Sequence, residues 1–339
     1  MAKMKAVQIG KAGGDFELVE REIPAPGPDQ VLLKVEACGV CHSDMFTKEG
    51  LYPGIEFPRV PGHEVVGRIK KVGKNVKAWK VGQRVGSGWH GGHCFVCDPC
   101  RHGDFINCEN MSINGVTHDG GYAEYMVANQ EALALIPASV SSMDAAPLLC
   151  AGITTYNALR NADARPGDLV AILGIGGLGH LAVQFAHKMG FRTIAISQGK
   201  EKEGLSLKLG ADTYIDASEE DPAEALAELG GAKVILATAP SSKAITGVID
   251  GLAENGVLLV EGNDKDPIQV VPRQLIAGRR SIKGWASGHA ADSEDTLNFS
   301  ALTEIRPLIE TFSLERAAEA YEKMMSNEVR FRSVLVMGE

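Results

Sequence analysis

Three side chains of types that commonly bind metals are spread over the first half of the chain. Cys41 lies in the polar segment Cys38–Asp44, His63 follows twenty-two residues later, and Cys150 lies much further along. Two thiolates and one imidazole suit zinc, and three protein ligands leave the fourth tetrahedral position open for water or substrate. Each residue taken alone is more typical of a buried core position. Together they predict a zinc site that can carry out chemistry.

Four more cysteines follow the pattern C-x2-C-x2-C-x7-C in a stretch rich in Gly, Asn and Asp. Four thiolates fill every position around a tetrahedral zinc ion, so the pattern predicts a structural zinc site that stabilises a lobe at about residues 90–110. An iron–sulfur cluster also accepts four thiolates and is an alternative, as is a set of unligated cysteines. The predicted ligands are Cys94, Cys97, Cys100 and Cys108. With the first site, we expect two zinc ions per subunit.

A continuous apolar run, Leu169–Leu173, leads directly into a glycine-rich turn. Helical spacing follows from His180 to Met189, and a second apolar run occupies 193–197. In this context a G-x-G-x-x-G pattern predicts a dinucleotide site, because glycines let the backbone approach the pyrophosphate and the amino end of the helix supplies free N–H groups. The predicted contacts are Gly174, Ile175, Gly176, Gly177, Leu178 and Gly179.

The two halves of the chain have different periodicities. In the first, short alternating apolar segments separated by Gly and Pro predict antiparallel β-structure. Helical spacing then extends over 143–160, with Pro147 and Gly152 as interruptions, and further helical segments, one of them at 242–252, alternate with apolar runs. This alternation predicts a doubly wound parallel sheet. We therefore expect an α/β protein with a β-rich domain and a Rossmann domain.

The size and composition of the chain limit the number of its domains, the partners it can bind and the compartment in which it works. A length of 339 residues exceeds the chain length at which a single hydrophobic core stops growing, so two domains are expected. The net charge of −9 disfavours a surface for nucleic acid or anionic membrane. No run of eighteen apolar residues occurs, and no apolar secretory segment follows the first lysines, so neither a membrane span nor export is predicted. Seven cysteines at short spacings then favour metal binding in a reducing cytoplasm over disulfides.

The residue at the end of the second Rossmann strand bears on the choice of cofactor. An NAD-specific site usually has Asp or Glu there, which accepts a hydrogen bond from the ribose 2′-OH. Here the residue is Ser197, and Lys200 and Lys202 follow shortly after it. Lysine attracts a 2′-phosphate and a carboxylate repels it, so we favour NADP over NAD. Solvated surface lysines are the alternative interpretation.

Five motifs together carry a family resemblance. They are the Cys41–Asp44 segment, the spacing of Gly62–Gly67 with Gly73 and Val76, the four-cysteine lobe, the Cys150–Gly152 segment and the glycine-rich turn, named here as they follow one another along the chain. In this order they resemble the zinc-containing medium-chain alcohol dehydrogenases, above all the microbial tetrameric enzymes and the cinnamyl alcohol dehydrogenases. The resemblance covers essentially the whole chain. It implies a GroES-like catalytic domain at 1–150 and 287–339, a Rossmann domain at 151–286, and a homo-oligomer, either dimer or tetramer.

The resemblance also implies roles for individual residues. Cys41, His63 and Cys150 would hold the catalytic zinc, with Glu64 beside it. Asp44 would orient His63 by accepting its other ring N–H.

Further roles concern substrate and cofactor. Ser43 would hydrogen-bond the substrate oxygen, and Arg332 would contact the pyrophosphate. Tyr52 and Trp89 would surround the substrate. Many relatives have a histidine where this chain has Phe46, so we expect a shortened proton relay from Ser43 to the ribose and then to water.

The function implied is hydride transfer between a small alcohol or aldehyde, primary and including aromatic ones, and NADP or NAD. Two other functions are considered. A quinone or enoyl reductase of the same two-domain plan works without zinc, but the complete Cys–His–Cys set counts against it. A non-catalytic dinucleotide-binding zinc protein would leave Ser43 and Glu64 unexplained.

Overall fold

A computed structural model of the protein describes residues 2–338. Its strands are β1 (Lys3–Ile9), β2 (Phe16–Glu22), β3 (Gln30–Val40), β4 (Val65–Val72), β5 (Arg84–Ser87), β6 (His90–Gly92), β7 (Ser112–Ile113), β8 (Tyr125–Asn129), β9 (Ala134–Leu135), β10 (Leu169–Leu173), β11 (Arg192–Ser197), β12 (Thr213–Asp216), β13 (Ala232–Ala237), β14 (Leu252–Val260), β15 (Ser281–Gly284), β16 (Ile309–Ser313) and β17 (Arg332–Val336).

The helices are mostly short. They are α1 (Met45–Lys48), α2 (Asp98–Arg101), α3 (Ser142–Pro147), α4 (Ile153–Arg160), α5 (Gly179–Lys188), α6 (Glu203–Lys208), α7 (Pro222–Glu228), α8 (Ser242–Gly247), α9 (Pro272–Ile276), α10 (Ala290–Thr303) and α11 (Ala317–Met325). Among the described residues, no helix combines the length and apolar character that crossing a membrane would require.

The chain forms two compact units. The division falls after Ile153 and before Gly288, so one unit, called here the terminal unit, contains both ends of the chain, and the inserted unit is Thr154–Ser287. Each unit has its own core of buried apolar side chains.

The terminal unit is built on a seven-stranded sheet. Its order is β16-β17-β3-β4-β5-β9, with β8 also paired to β3. The pairs are antiparallel except β16 with β17. Eight of the eleven residues of β3 are buried and the other three are half-buried, as expected of a strand with neighbours on both sides. The antiparallel first half expected from the sequence is therefore present.

The inserted unit is a six-stranded sheet in the order β12-β11-β10-β13-β14-β15. Every pair of neighbours is parallel. All five residues of β10 are buried, because a parallel strand at the centre of such a sheet is covered on both faces. This strand order is that of a doubly wound Rossmann sheet, which confirms the expected fold class.

Two predicted helices differ from the observed ones. The segment 143–160 is not one helix: α3 and α4 are separated by a π-helical turn, Leu148–Gly152, next to Pro147. The helix expected at 242–252 ends at Gly247, and a 3-10 turn leads into β14. Glycine disfavours helix continuation, and a side chain at Gly251 would crowd the Leu226 side chain of α7.

Candidate active site

Four side chains of the terminal unit converge from three places in the fold. Cys41 follows β3 and precedes a 3-10 turn, His63 and Glu64 come directly before β4, and Cys150 lies in the π-helical turn. One ligand atom from each of the four lies within 4.8 Å of those of the other three. The three residues predicted as metal ligands are therefore brought together, with Glu64 beside them.

The dimensions of this cluster fit zinc. The Sγ atoms of Cys41 and Cys150 are 3.8 Å apart. Two sulfurs bound to one tetrahedral zinc at about 2.3 Å are separated by about 3.8 Å. The Nε2 atom of His63 is buried and has no hydrogen-bond partner within residues 2–338, as expected of a nitrogen that binds a metal.

Asp44 holds His63 in place. Its Oδ1 lies 3.0 Å from His63 Nδ1, and its Oδ2 accepts hydrogen bonds from the Cys41 backbone N–H at 2.9 Å and the Tyr122 hydroxyl at 2.8 Å. When Nδ1 carries the proton donated to Asp44, the lone pair of Nε2 is free for a metal. Sequence reasoning missed Tyr122, which is 78 residues from its partner and has no local pattern that marks it.

The pKa values of the two thiols are shifted in opposite directions. A hydrogen bond from Cys150, followed by the charge of His63, holds the pKa of the Cys41 thiol well below its usual range even though burial opposes this. The same hydrogen bond and burial raise the pKa of Cys150 well above its usual value. Burial alone would lower the pKa of His63, but the negative charges of Asp44 and Cys41 raise it overall. A bound cation would take the place of the thiol protons, because cysteine binds metals as the thiolate.

Glu64 forms a buried ion pair with Arg332. The Nη2 atom of Arg332 contacts Glu64 Oε1, and both side chains are almost fully excluded from solvent. Burial raises the pKa of Glu64 to about 7 although Arg332 lowers it. The other carboxylate oxygen, Oε2, is packed so closely against Gly39 that a side chain there would overlap it. The expected contact of Arg332 with the pyrophosphate stays a prediction.

An aromatic ring packs against His63, and a second ring packs against the first. Trp89 packs edge-on against the His63 ring with centroids 5.0 Å apart, and Phe46 lies 6.1 Å from Trp89. Ser43 is half-buried in the 3-10 turn after Cys41. Tyr52 is half-buried in the loop after α1, and within residues 2–338 no ring contact links it to His63.

The four-cysteine lobe has the dimensions of a closed zinc site. The four Sγ atoms lie within 4.8 Å of one another, with Cys97 and Cys108 separated by 3.8 Å and Cys94 and Cys108 by 3.6 Å. The backbone N–H groups of Val96 and Cys97 lower the pKa of Cys94 to about 6, which favours the thiolate that zinc binds. Cys100 is buried in the same group.

The glycine-rich turn of the inserted unit leads from β10 into α5. A Cβ on Gly174 would lie 2.8 Å from Ala239, and one on Gly179 would overlap the Gly174 carbonyl, so both positions need glycine. A Cβ on Gly176, by contrast, would meet nothing within 4 Å, which leaves this backbone open to a ligand. The turn can therefore bring its backbone close to a pyrophosphate.

Charges of both signs surround the end of β11. Ser197 is half-buried there and Lys202 is half-buried in the turn Lys200–Lys202. A Cβ on Gly199 would lie 2.5 Å from Glu201 Oε2, so a carboxylate stands near the same position. The side chain of Asp216 accepts the Gly199 backbone N–H at 2.8 Å.

The chain matches two protein-family models and is similar to known alcohol dehydrogenases. The family model described as an alcohol dehydrogenase GroES-like domain matches residues 27–138, and that described as a zinc-binding dehydrogenase matches 177–302. The alcohol dehydrogenase notN of Aspergillus sp. (strain MF297-2) is 46% identical over 334 residues, which are 98% of each chain.

Two solved structures have the same fold along almost the whole chain. A cinnamyl alcohol dehydrogenase of Sorghum bicolor superposes with a TM-score of 0.90 at 29% identity, covering 99% of this chain and 98% of the other. The CAD of Helicobacter pylori, complexed with NADP(H), superposes with a TM-score of 0.87 at 27% identity and the same coverage.

Proposed function

Because the chain belongs to the zinc-containing medium-chain alcohol dehydrogenase family, we propose that Cys41, His63 and Cys150 hold the zinc ion at which it oxidises alcohols and reduces aldehydes. Alcohol dehydrogenase activity with a nicotinamide cofactor follows from the family, whose GroES-like and Rossmann parts are both present. The ligand set, the cofactor preference and the substrate range are our proposals.

The observation that best supports the proposed ligands is the unpartnered, buried Nε2 of His63 beside two thiols 3.8 Å apart. An ion held there would supply Lewis-acid polarisation of the substrate oxygen. Asp44 keeps the His63 imidazole in the tautomer that binds a metal. Trp89 packs against the His63 ring, and Phe46 packs against Trp89.

Ser43 is the proposed first carrier of the substrate proton. Its hydroxyl can accept and donate a proton, and it lies in the turn that begins directly after the ligand Cys41. Phe46 offers no proton acceptor where many relatives have histidine. We infer that the proton passes from Ser43 to the cofactor ribose and then directly to water.

The rings near His63 support a preference for primary and aromatic alcohols. Trp89 and Phe46 give an apolar, aromatic wall, which favours a flat apolar substituent on the reacting carbon. Tyr52 is a further proposed pocket residue.

The cofactor is proposed to be NADP rather than NAD. Ser197 cannot repel a 2′-phosphate as a carboxylate would, and Lys200 and Lys202 lie close by in the chain. Glu201 near Gly199 opposes this preference, so we expect a moderate selectivity rather than an absolute one.

Three further features of the working protein are proposed. The four-cysteine lobe holds a second, structural zinc ion. The edge strand β15 is largely exposed, and so are the apolar side chains of Val271 and Ile276. An exposed sheet edge and exposed apolar side chains support pairing of subunits through this edge, in a homo-oligomer that is a dimer or a tetramer. The seven cysteines form no disulfides, which supports a reducing cytoplasmic location.

The test is oxidation of benzyl alcohol with NAD and NADP in parallel, before and after chelation, with zinc quantified. We expect two zinc ions per chain, loss of turnover when one is removed, and recovery when zinc is restored. Turnover that survives removal of zinc would instead establish a metal-free reductase. One zinc per chain and no turnover would establish a non-catalytic dinucleotide-binding protein.

A further inference from the structure

One stretch of the terminal unit has positively charged side chains and no negatively charged ones. From Val65 to Cys97 there are seven lysines and arginines and no aspartate or glutamate. This stretch therefore carries a charge of +7, although the net charge of the whole chain is −9. A negative net charge disfavours contact with an anionic membrane only where the charge is evenly distributed, and here it is not.

Five of these side chains are lysines at the end of one hairpin. Two lie in the last part of β4 and three in the connection from β4 to β5. The pairing of the two strands ends at Ile69, whose carbonyl accepts from the Gly82 N–H at 2.8 Å and whose N–H donates to the Gln83 carbonyl at 3.0 Å. The residues beyond this pair, 70–81, are called here the basic tip. Its lysines are Lys70, Lys71, Lys74, Lys77 and Lys80.

The backbone of the basic tip is fixed to the terminal unit. The Gly73 N–H donates to the Gln30 carbonyl at 2.8 Å, and a side chain on Gly73 would overlap the backbone of Pro28. Trp79 packs half-buried against the core of the unit, and its indole N–H donates to the Gln130 carbonyl at 2.9 Å. The five lysines therefore extend from an ordered loop, which keeps their charges together.

The five lysines have no carboxylate partner. All are exposed, and within residues 2–338 no side chain forms an ion pair with any of them. The two arginines of the stretch, by contrast, are engaged within the protein. Arg68 pairs with Glu36 at 2.7 Å, and Arg84 donates to two backbone carbonyls of the segment 137–140. Lysines this close together repel one another, and an anionic partner would offset that repulsion.

Apolar side chains lie among these lysines. Val72 is 38% exposed and Val81 is 61% exposed. The carbon stem of lysine is itself apolar, so it can cover an apolar surface while the ammonium group stays in water or among lipid headgroups. The basic tip thus combines positive charge with apolar groups, as surfaces that lie on a lipid bilayer do.

A nucleic acid fits this surface less well. Arginine binds phosphate in a bidentate manner, but both guanidinium groups of the stretch are engaged within the protein. Aromatic side chains stack on exposed bases, but the Trp79 ring is packed against the core and its N–H is occupied. The basic tip offers flexible point charges and small apolar groups, which suit a fluid anionic surface.

We propose that the basic tip binds the terminal unit to the surface of an anionic phospholipid bilayer. The lysines lie among the headgroups, and Val72 and Val81 contact the boundary with the acyl chains. Each lysine near such a surface strengthens binding by about five-fold, so the five together provide about a thousand-fold. Binding of this kind is reversible and weakens as salt screens the charges. It does not depend on the proposed metal ligands or on the proposed function.

Co-sedimentation of the full chain with phospholipid vesicles tests the inference. The vesicles contain phosphatidylcholine alone or with about 30% phosphatidylserine. We expect binding to the anionic vesicles and binding weaker by about ten-fold or more to the neutral ones. The affinity for the anionic vesicles should fall by about ten-fold or more between about 0.05 and about 0.5 M salt.

The double variant Lys74→Gln, Lys77→Gln should weaken binding to the anionic vesicles by about 25-fold, the effect of two lysines. The matched control is Lys208→Gln, Lys243→Gln, which removes two exposed lysines from the inserted unit and should bind as wild type does. Val81→Ser should weaken binding by about three-fold and leave its salt dependence unchanged. All these variants alter exposed side chains and should unfold at the temperature of wild type.

Equal binding to neutral and anionic vesicles, or binding to neither, would overturn the inference. So would a control variant that loses as much affinity as the Lys74 and Lys77 variant. A wild-type protein that binds a DNA duplex in preference to the anionic vesicles would show that the basic tip is a nucleic-acid surface instead. Self-association that the Lys74 and Lys77 variant loses, without vesicle binding by wild type, would make it a contact between copies of the chain.

Discussion

Asp44 Oδ1 lies 3.0 Å from His63 Nδ1, and the two side chains are only 2% and 1% exposed. The second Asp44 oxygen accepts two further hydrogen bonds. Asp44 is thus the one acceptor that joins the proposed ligand His63, the backbone of the proposed ligand Cys41 and the hydroxyl of Tyr122.

Asp44→Asn should weaken zinc binding at the proposed catalytic site. An amide has one acceptor oxygen, so its NH₂ group must face a donor either at His63 or at Cys41 and Tyr122. We expect zinc affinity and turnover to fall by about 10- to 100-fold. Zinc titration against a competing chelator measures this.

Tyr122→Phe is the matched control for Asp44→Asn. It removes one of the three hydrogen bonds to Asp44 and keeps the buried ring, so its loss of zinc affinity should be smaller. An Asp44→Asn protein with the zinc affinity of wild type would contradict the role given to Asp44.

Cys100→Ala should remove the proposed structural zinc and lower stability. Three thiolates cannot complete the closed site, and metal binding contributes directly to the folding free energy of such lobes. We expect one zinc fewer per chain and a lower thermal unfolding temperature.

The control for Cys100→Ala is Cys38→Ala, which truncates a fully buried cysteine outside both clusters. It should lower stability through a packing defect but keep both zinc ions. If Cys100→Ala also kept them, the four-cysteine assignment would be wrong.

Ser197→Asp should move the cofactor preference toward NAD. A carboxylate at the end of β11 accepts from the ribose 2′-OH and repels a 2′-phosphate. The ratio of kcat/KM for NADP to that for NAD should fall by about ten-fold or more. Ala227→Asp, which adds a carboxylate on the exposed face of α7, should leave the ratio unchanged.

Glu261→Gln should make the protein more stable at alkaline pH. Burial raises the pKa of Glu261 from 4.5 to about 8. An acid whose pKa rises on folding stabilises the fold below its unfolded pKa, and this contribution is lost as the pH rises through the folded pKa. The free energy of unfolding of the variant should therefore match wild type near pH 4.5 and exceed it increasingly up to about pH 8, by at most about 5 kcal/mol.

Denaturant unfolding at a series of pH values measures this difference. Glu220→Gln, which removes an exposed carboxylate from the same unit, is the control and should show no such rise. A difference between Glu261→Gln and wild type that does not change with pH would show that the Glu261 carboxyl is not held in a desolvated site.

Local patterns predicted much of this molecule. The apolar run Leu169–Leu173, followed by a glycine-rich turn and a helix, was sufficient to predict the parallel sheet, because strand, turn and helix are adjacent in sequence. The comparisons confirm the family, the fold class and the function that the motifs indicated.

Contacts between distant segments could not be predicted in this way. Arg332 meets Glu64 across 268 residues, and Tyr122 meets Asp44 across 78. Nothing in the neighbouring sequence of either residue marks its partner, since only the folded sheet brings them together. Cys150 was recognised as a candidate ligand from its sequence motif. The π-helical turn that contains it was not predicted.

The position of β17 has a consequence for biosynthesis. This strand, the last in the chain, pairs with β3 along Ala37–Val40 and brings Arg332 to Glu64. At about 5–20 residues per second, roughly 15–50 seconds separate the synthesis of Glu64 from that of Arg332. By the end of that interval the inserted unit has been synthesised in full, while the end of β3 next to Cys41 still has an unpaired edge. The ion pair that Glu64 forms beside the proposed metal site is therefore a late event, because Arg332 is synthesised only after the whole inserted unit.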